Sequence, residues 1–463
     1  MGEDLRAIER RLATASTFAR RATELFFRRI EVDGASRVPA DGPLLIVGNH
    51  GSGLIDPALF LAFLPRRPRF LALSTLWDML PLRPLLSLGA AIPIYQRRHI
   101  ETAGEKNLAV FEKCYEALAA GGVIGLFPEG RSHDEPALAE IKTGAARIAL
   151  ETLARHPDLT IRIVPVGLTF EEKTRFRSRV LITVGKPFEP LDALARRGFE
   201  GYDPVASGAE PGAVRALTDA LREALIEVTL NYPSWEEARL IERAVAIYER
   251  PTPQPPTEPT LGPSFKVRQL FIDGYAELKQ REPELVERVR REVAEYDAEL
   301  ELYRLHDRHV IADYPPPVVF RFTIETLNEL LARLPLGVIG TVLNFVPFWA
   351  CDLASRRAPK PDEISTYKIV AALFFYPLTW LLEGVLVGWL LSPAWGVAAA
   401  LLGPLSGYFA IRLQQHMGSF IRHARAFLFF RAPSARMASL RERRSALLED
   451  MRRLADKLAP TGP

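Results

Sequence analysis

The segment VGNHGSGLIDPALF, residues 47–60, sets His50 and Asp56 six positions apart, behind an apolar run and around two glycines. Imidazole is the side chain whose proton moves near neutral pH. A carboxylate that accepts from one ring N–H fixes the tautomer and leaves the other nitrogen as a general base. Asp56-Pro57 reads equally well as an N-cap followed by proline at the first helical position. A carboxylate has two oxygens, so one residue can serve both ends. Gly51, Ser52 and Gly53 would let the backbone turn sharply and leave room around the imidazole. Asn49 and Ser52 flank the histidine as candidate substrate-binding groups. No G-x-S-x-G elbow accompanies the pair, so a base here would act directly on a substrate hydroxyl.

A second constellation lies in GLFPEGRSHDEPALAEIKTGAARIAL, residues 125–150. A strand ends at Phe127, Pro128-Glu129-Gly130 turn, and Arg131, Ser132 and His133 follow. A carboxylate, a cation and free backbone amides at a strand end suit a polar, anionic substrate. Lys142, just before the helix start at Thr143-Gly144, adds a candidate phosphate contact. Arg97 and Arg98 close another short strand in LGAAIPIYQRRH, and EEKTRFRSR (171–179) brings more cations after a further one. Four such loops at corresponding strand ends predict a cationic pocket.

These residues need a scaffold. Short apolar runs at 44–48, 70–73, 123–127, 161–168 and 180–184 read as buried strands, with helical stretches at about 57–64, 105–119 and 143–155. Strands alternating with helices predict an α/β fold: a mixed, mostly parallel sheet flanked by helices. In such sheets ligands collect beyond the carboxyl ends of the strands, where 44–48 delivers Asn49 and His50. The domain organisation follows from composition shifts. Residues 1–35 form an amphipathic N-terminal helix, lying on a core or on a membrane surface. Residues 36–232 form the α/β domain, and 233–333 a helical region with a stiff Pro-rich connector at 251–263. Residues 334–415 carry apolar segments of bilayer-spanning length, and 416–463 a basic amphipathic helix.

Three apolar stretches occupy 334–351, 369–391 and 394–411. If all three crossed a bilayer, the basic tail from Arg422 to Arg444 would lie opposite the loop carrying Arg356, Arg357, Lys360 and Lys368. The positive-inside tendency disfavours that split. A hairpin of 369–411 turning at Ser392-Pro393 keeps both basic flanks cytoplasmic, with 334–351 re-entrant or in-plane. Glu383 would then face protein or the headgroups.

Bulk charge excludes little else. With 59 Lys and Arg against 56 Asp and Glu, the chain gives no electrostatic reason to expect nucleic acid. Two distant cysteines, Cys114 and Cys351, argue against a disulfide framework and suit a reducing compartment. The charged MGEDLRAIERR start lacks the apolar core of a secretory signal.

NHGSGLIDP, GAAIPIYQRR, FPEGRSHDEPALAEIKTGAARIAL and IVPVGLTF come in the order and spacing of the four motif blocks of the glycerolipid acyltransferases. The chain resembles that family over roughly residues 30–190, and most closely its glycerol-3-phosphate or dihydroxyacetone-phosphate branch. Three departures stand out. Five residues, not four, separate His50 from Asp56; the third block reads Glu129-Gly130-Arg131-Ser132 where E-G-T-R is common; and Gln96 precedes the displaced Arg97 of the second block. The resemblance implies that His50 deprotonates the sn-1 hydroxyl of glycerol 3-phosphate as it attacks an acyl thioester, with Asp56 orienting His50. Glu129 and Gly130 would shape the acceptor site, and Arg97, Arg131, Ser132 and Lys142 would contact phosphate or CoA. No metal or resident cofactor is implied: acyl-CoA or acyl-carrier protein is the donor substrate, beside a phospholipid membrane that takes up the product. Such chemistry needs only a positioned base and oxyanion donors.

Rival readings use the same residues. Lysophosphatidate or dihydroxyacetone phosphate would be acylated by the same chemistry. A hydrolase would hold a metal between His50, Asp56, Glu129 and His133, although no tight ligand pair such as His-x-x-x-His anchors it. A non-catalytic membrane protein on this scaffold would have little reason to keep His50, Asp56 and Glu129 together.

Overall fold

The structure is a computed structural model that describes residues 5–79, 82–95, 103–249, 260–303, 307, 310, 324, 328, 334–358, 360, 363–430 and 435–458. The chain forms two compact units, Met1–Asn231 with Ser355–Val370, and Tyr232–Ala354 with Ala371–Pro463.

The first unit is built on seven strands: β1 (Arg29–Asp33), β2 (Leu44–Gly48), β3 (Arg69–Leu73), β4 (Ile92–Ile94), β5 (Val123–Leu126), β6 (Arg162–Phe170) and β7 (Arg179–Val184). Their order is β1-β7-β6-β2-β5-β3-β4. The five strands from β6 to β4 run parallel, while β7 is antiparallel to β6 and β1 parallel to β7. The sheet is therefore mixed and mostly parallel. Every residue of β2 is buried, as a strand covered on both faces requires. Its side chains alternate between two cores. Leu45 and Val47 join the helices α4 (Ala103–Ala119), α5 (Gly144–Arg155) and α8 (Pro211–Ile226). Leu44 and Ile46 join α2 (Ile55–Phe63) and strands β6 and β7.

The N-terminal helix, α1 (Leu5–Phe26), is shorter than the 1–35 read from sequence, because Arg29–Asp33 leaves it to form the edge strand β1. Of the two settings considered for it, the structure shows the core: Ile8, Leu12 and Ala15 are buried with Leu61 and Ala90.

In the second unit, α9 (Trp235–Tyr248), α11 (Pro283–Leu302) and the C-terminal helix Ala435–Leu458 enclose a core around Tyr296, Val293, Leu300 and Leu447. A buried ion pair sits inside it. Arg444 Nε donates to Asp307 Oδ1 at 2.8 Å, Tyr296 donates to the same oxygen, and Arg444 also reaches the carbonyl of Ile247. Two long helices, Ile364–Leu390 and Pro393–Phe430, follow one another across a turn at 391–392. Ile364–Leu390 and the Pro393–Gln414 part of the second are long and apolar enough to cross a membrane, and few of their residues are buried within the protein. Where they meet, only glycine fits, since a Cβ on Gly396 would stand 2.6 Å from the carbonyl oxygen of Gly384. Small residues of this kind let membrane helices approach closely. The helices Leu334–Leu343 and Phe345–Ser355 form a pair bent by 53°, the geometry of a broken span or a re-entrant loop. Asn344 sits at the bend, donating to the carbonyl of Gly340 and accepting from Trp380 Nε1.

Candidate active site

β2 ends at Gly48, where the ring of Phe60 leaves no room for a side chain: a Cβ would stand 2.5 Å from it. Asn49 then extends the β2–β6 pairing through its side chain. Its Nδ2 donates to Leu168 O at 3.1 Å and its Oδ1 accepts from Leu168 N at 2.7 Å. The amide expected to bind substrate is thus committed to the neighbouring strand, and the chain leaves the sheet at His50.

The imidazole of His50 stacks on Phe127, with ring centroids 4.2 Å apart and planes within 9°. Its Nδ1 is 2.8 Å from Asp56 Oδ2, which also accepts from the backbone N–H of Ser52 at 2.7 Å. The sequence suggested Asp56 as the N-cap of α2. The helix instead begins at Ile55 with Leu54 as N-cap, and Asp56 lies inside the first turn, aimed back at the histidine. The Asp56 carboxylate is fully buried, and its Oδ1 has no hydrogen-bond partner among the described residues. Burial raises its pKa above the usual carboxylate range, against the opposing pull of His50 and the Ser52 amide. With Nδ1 held by Asp56, the free position on the ring is Nε2, which has no partner among the described residues. Ser52 is fully buried, and its hydroxyl has no hydrogen-bond partner among the described residues.

Glu129, after β5, is completely enclosed and has both oxygens engaged. Oε1 accepts from the backbone N–H of His50 at 2.7 Å; Oε2 accepts from Ala139 N at 2.8 Å and from His133 Nε2. His133 Nδ1 accepts from Glu135 N, which assigns the proton to Nε2. Burial by itself would raise the Glu129 pKa, but His133 and the two backbone amides outweigh it and hold the carboxyl below its ordinary value. His133 N in turn donates to His50 O at 3.1 Å. Glu129 therefore ties the loop after β5 to the loop after β2. The four residues of the metal-hydrolase reading fall into two separate histidine–carboxylate pairs. Among the described residues no three His, Cys, Asp or Glu side chains converge to hold a metal.

The expected cations are dispersed. Arg97 and Arg98 lie outside the described residues. Arg131 is exposed, Ser132 is half-buried, and exposed Lys142 pairs with Glu140. Gly130 takes the left-handed conformation at φ 72° that its turn requires. In the 171–179 loop, Arg179 pairs with Glu171, Arg175 pairs with Glu172, and Arg177 reaches the carbonyls of Glu24, Leu25 and Phe27 at the end of α1. These arginines hold the fold together.

Lys173, a cation of the 171–179 loop named from sequence, reaches the site, and Phe127 joins it in a role the sequence did not indicate. Lys173 Nζ donates to Gly51 O at 2.9 Å and to His133 O at 3.2 Å, and pairs with Asp134. Phe127 supplies the surface on which His50 rests. A lysine inside a basic loop and a phenylalanine ending a buried strand carry no local signal of either role.

Two segments of the chain match described families. The family described as Acyltransferase matches residues 29–169. That described as Glycerol-3-phosphate acyltransferase 2 C-terminal domain matches residues 240–462. The chain is 25% identical over 297 residues to Glycerol-3-phosphate O-acyltransferase 2 of Saccharomyces cerevisiae, covering 61% of this chain and 38% of that protein. It is 26% identical over 294 residues to Glycerol-3-phosphate O-acyltransferase 1 of the same yeast, covering 60% and 37%. An uncharacterized acyltransferase of Schizosaccharomyces pombe is 24% identical over 378 residues, covering 76% and 54%. The chain thus spans little more than a third of the length of its two budding-yeast relatives. Among solved structures, the 1-acyl-sn-glycerophosphate acyltransferase PlsC of Thermotoga maritima is similar at a TM-score of 0.34 and 19% identity, over 49% of this chain and 83% of that one. The chain thus carries a segment that matches the Acyltransferase family, followed by one that matches the Glycerol-3-phosphate acyltransferase 2 C-terminal domain.

Proposed function

We propose that this protein transfers a fatty acyl group from acyl-CoA, or from acyl-carrier protein, to the sn-1 hydroxyl of glycerol 3-phosphate, beside a membrane. The carrying observation is the 2.8 Å contact between His50 Nδ1 and buried Asp56 Oδ2, at the end of a central strand. With Nδ1–H donated to Asp56, His50 Nε2 takes the proton of the acceptor hydroxyl. The hydroxyl oxygen bonds to the thioester carbon, the C–S bond breaks as the tetrahedral intermediate collapses, and the thiolate leaves with the proton from His50. A carboxylate beside Nδ1 stabilises the imidazolium formed in between. Glu129, His133 and Lys173 act as positioning residues: Glu129 holds the His50 N–H and His133, and Lys173 holds the carbonyls of Gly51 and His133. The names of the yeast relatives and the matched C-terminal domain support glycerol 3-phosphate as acceptor. Arg97, Arg98, Arg131, Ser132 and Lys142 are the candidate contacts for phosphate or CoA.

The two apolar helices form a hairpin whose basic flanks face the cytoplasm together with the acyltransferase domain, by the positive-inside tendency. The test of substrate is release of free thiol from acyl-CoA by the full chain in lipid vesicles, with glycerol 3-phosphate, dihydroxyacetone phosphate or lysophosphatidate, each with and without chelator. Fastest release with glycerol 3-phosphate, insensitive to chelator, is expected. Fastest release with lysophosphatidate would move the acceptor to the lipid side. Chelator-sensitive release without any acceptor would replace the transferase with a hydrolase.

A further inference from the structure

Helix α2 begins beside the catalytic turn without a local cap: its N-cap is Leu54, and no side chain of the turn accepts from the first backbone amides in the usual way. A helix start leaves N–H groups without intrahelical partners, and Ser, Thr, Asp or Asn at the N-cap ordinarily supplies the acceptor. Asp56 is the nearest candidate, but its Oδ2 is committed to Ser52 N and His50 Nδ1. The amide of Leu54 is satisfied from the far end of the chain instead. Thr366 Oγ1 accepts from it at 3.1 Å, across 312 residues of sequence.

The fit is mutual. Gly53 lies next to this contact, and a Cβ added there would stand 3.1 Å from Thr366 Oγ1. Gly53 is absent from the residues with positive φ, so its backbone does not require glycine. A methyl group there would press on the threonine hydroxyl more tightly than ordinary packing allows. The glycine that the sequence assigned to a sharp turn is the socket of a long-range brace.

Neighbouring residues of the same segment hold the adjoining loop. Ser365 Oγ donates to Lys173 O at 2.5 Å and Lys368 Nζ to Thr174 O at 2.9 Å, while Lys173 Nζ donates to the carbonyl of Gly51. Ile369 packs against the core that contains Ile55 and Leu59 of α2. All of these residues lie in the first unit, although Thr366 falls well outside the matched acyltransferase segment 29–169. They form the opening turns of Ile364–Leu390, the first of the two long apolar helices.

We propose that Thr366 is a positioning residue for the transfer reaction. By accepting from Leu54 N–H it holds the start of α2 and so frees Asp56 to serve His50. The inference rests on His50 acting as the base. It places part of the machinery that sets the imidazole in the first turns of an apolar helix, outside the acyltransferase segment.

The test is steady-state transfer by the full chain in lipid vesicles for Thr366→Val, Thr366→Ser, Gly53→Ala, Gly53→Ala with Thr366→Ala, and His50→Ala. A small misplacement of a reacting group costs up to about 100-fold in rate. Thr366→Val is therefore expected to lower kcat by about 10- to 100-fold with KM for acyl-CoA changed less than about threefold, and Thr366→Ser to restore most of it. Gly53→Ala is expected to lower kcat in the same way, and Gly53→Ala with Thr366→Ala to lose no more than Thr366→Val does, because both changes break the same contact. If Thr366→Val does not fold, the Gly53→Ala pair and Thr366→Ser decide. Parent-like kcat in Thr366→Val or Gly53→Ala, with His50→Ala inactive, overturns this inference and leaves the base intact. Parent-like turnover by His50→Ala overturns the underlying reading.

Discussion

Asp56 places Oδ2 2.8 Å from Nδ1 of His50 while being wholly removed from solvent, so the carboxylate that steers the base is itself costly to keep ionised. Its pKa is raised by burial even against the pull of His50 and the Ser52 amide. A carboxyl group with a raised folded-state pKa favours folding most below its unfolded value, near 3.9, and that contribution is lost as pH rises through the folded value. At neutral pH ionised Asp56 therefore works against stability. Asp56→Asn keeps an oxygen for Ser52 N and His50 Nδ1 but removes the charge that stabilises the imidazolium. We expect kcat to fall by about 100- to 10,000-fold. Thermal melting at pH 7 is expected at the parent temperature or above it, and the difference from the parent to close as the pH is lowered toward 4.

Glu129 behaves in the opposite sense. Its pKa is held below the ordinary value, so its contribution to stability is present above the unfolded pKa of about 4.3 and is lost as pH falls through the folded value. Glu129→Gln places an amide NH2 against Ala139 N–H or His133, leaving a buried donor unpaired. A cost of about 2 kcal/mol is expected, together with slower transfer, because the loop that anchors the His50 backbone is loosened. Melting curves from pH 7 down to pH 4 check this. The gap between parent and variant should hold until about pH 4.3 and narrow only below it.

The buried Arg444–Asp307 pair makes a separate prediction for the second unit. Removing one partner of a buried ion pair leaves an uncompensated charge and costs about 3–5 kcal/mol. Asp307→Asn should thus destabilise strongly, since Arg444 and Tyr296 both direct donors at that carboxylate. Exchanging Asp307, Arg444 and Tyr296 together for apolar residues should recover much of the loss. Limited proteolysis of residues 232–354 and 435–458 reads the difference.

The hairpin is tested by reporters fused after Ala354 and at the C-terminus. The same, cytoplasmic side is expected for both. Opposite sides would require the bent pair Leu334–Leu343 and Phe345–Ser355, or one of the two long helices, to be placed differently.

Much of this was legible in the sequence where burial acts locally. β2, β5, β6 and β7 are covered on both faces and so appear as unbroken apolar runs. β1, with Arg29, Glu31 and Asp33 alternating with apolar residues at a sheet edge, gave no such run and merged with the helix before it. The His50–Asp56 pair was visible because a glycine-bearing turn follows a buried strand. The role of Asp56 as an N-cap was misread, since only the fold brings a distant threonine to the start of α2. The cations of 171–179 looked like a pocket because charge in a loop says nothing of its partners. Arg177, Arg179 and Lys173 are engaged with α1, Glu171 and the His50 turn, contacts that sequence spacing does not encode.

The most direct test of the central claim is thiol release from acyl-CoA at saturating glycerol 3-phosphate by the full chain and by His50→Gln, both in vesicles and both shown to melt alike. The rate is expected to fall by about 100- to 10,000-fold with acyl-CoA binding retained. A variant that turns over within about threefold of the parent would contradict the assignment of His50 as the base.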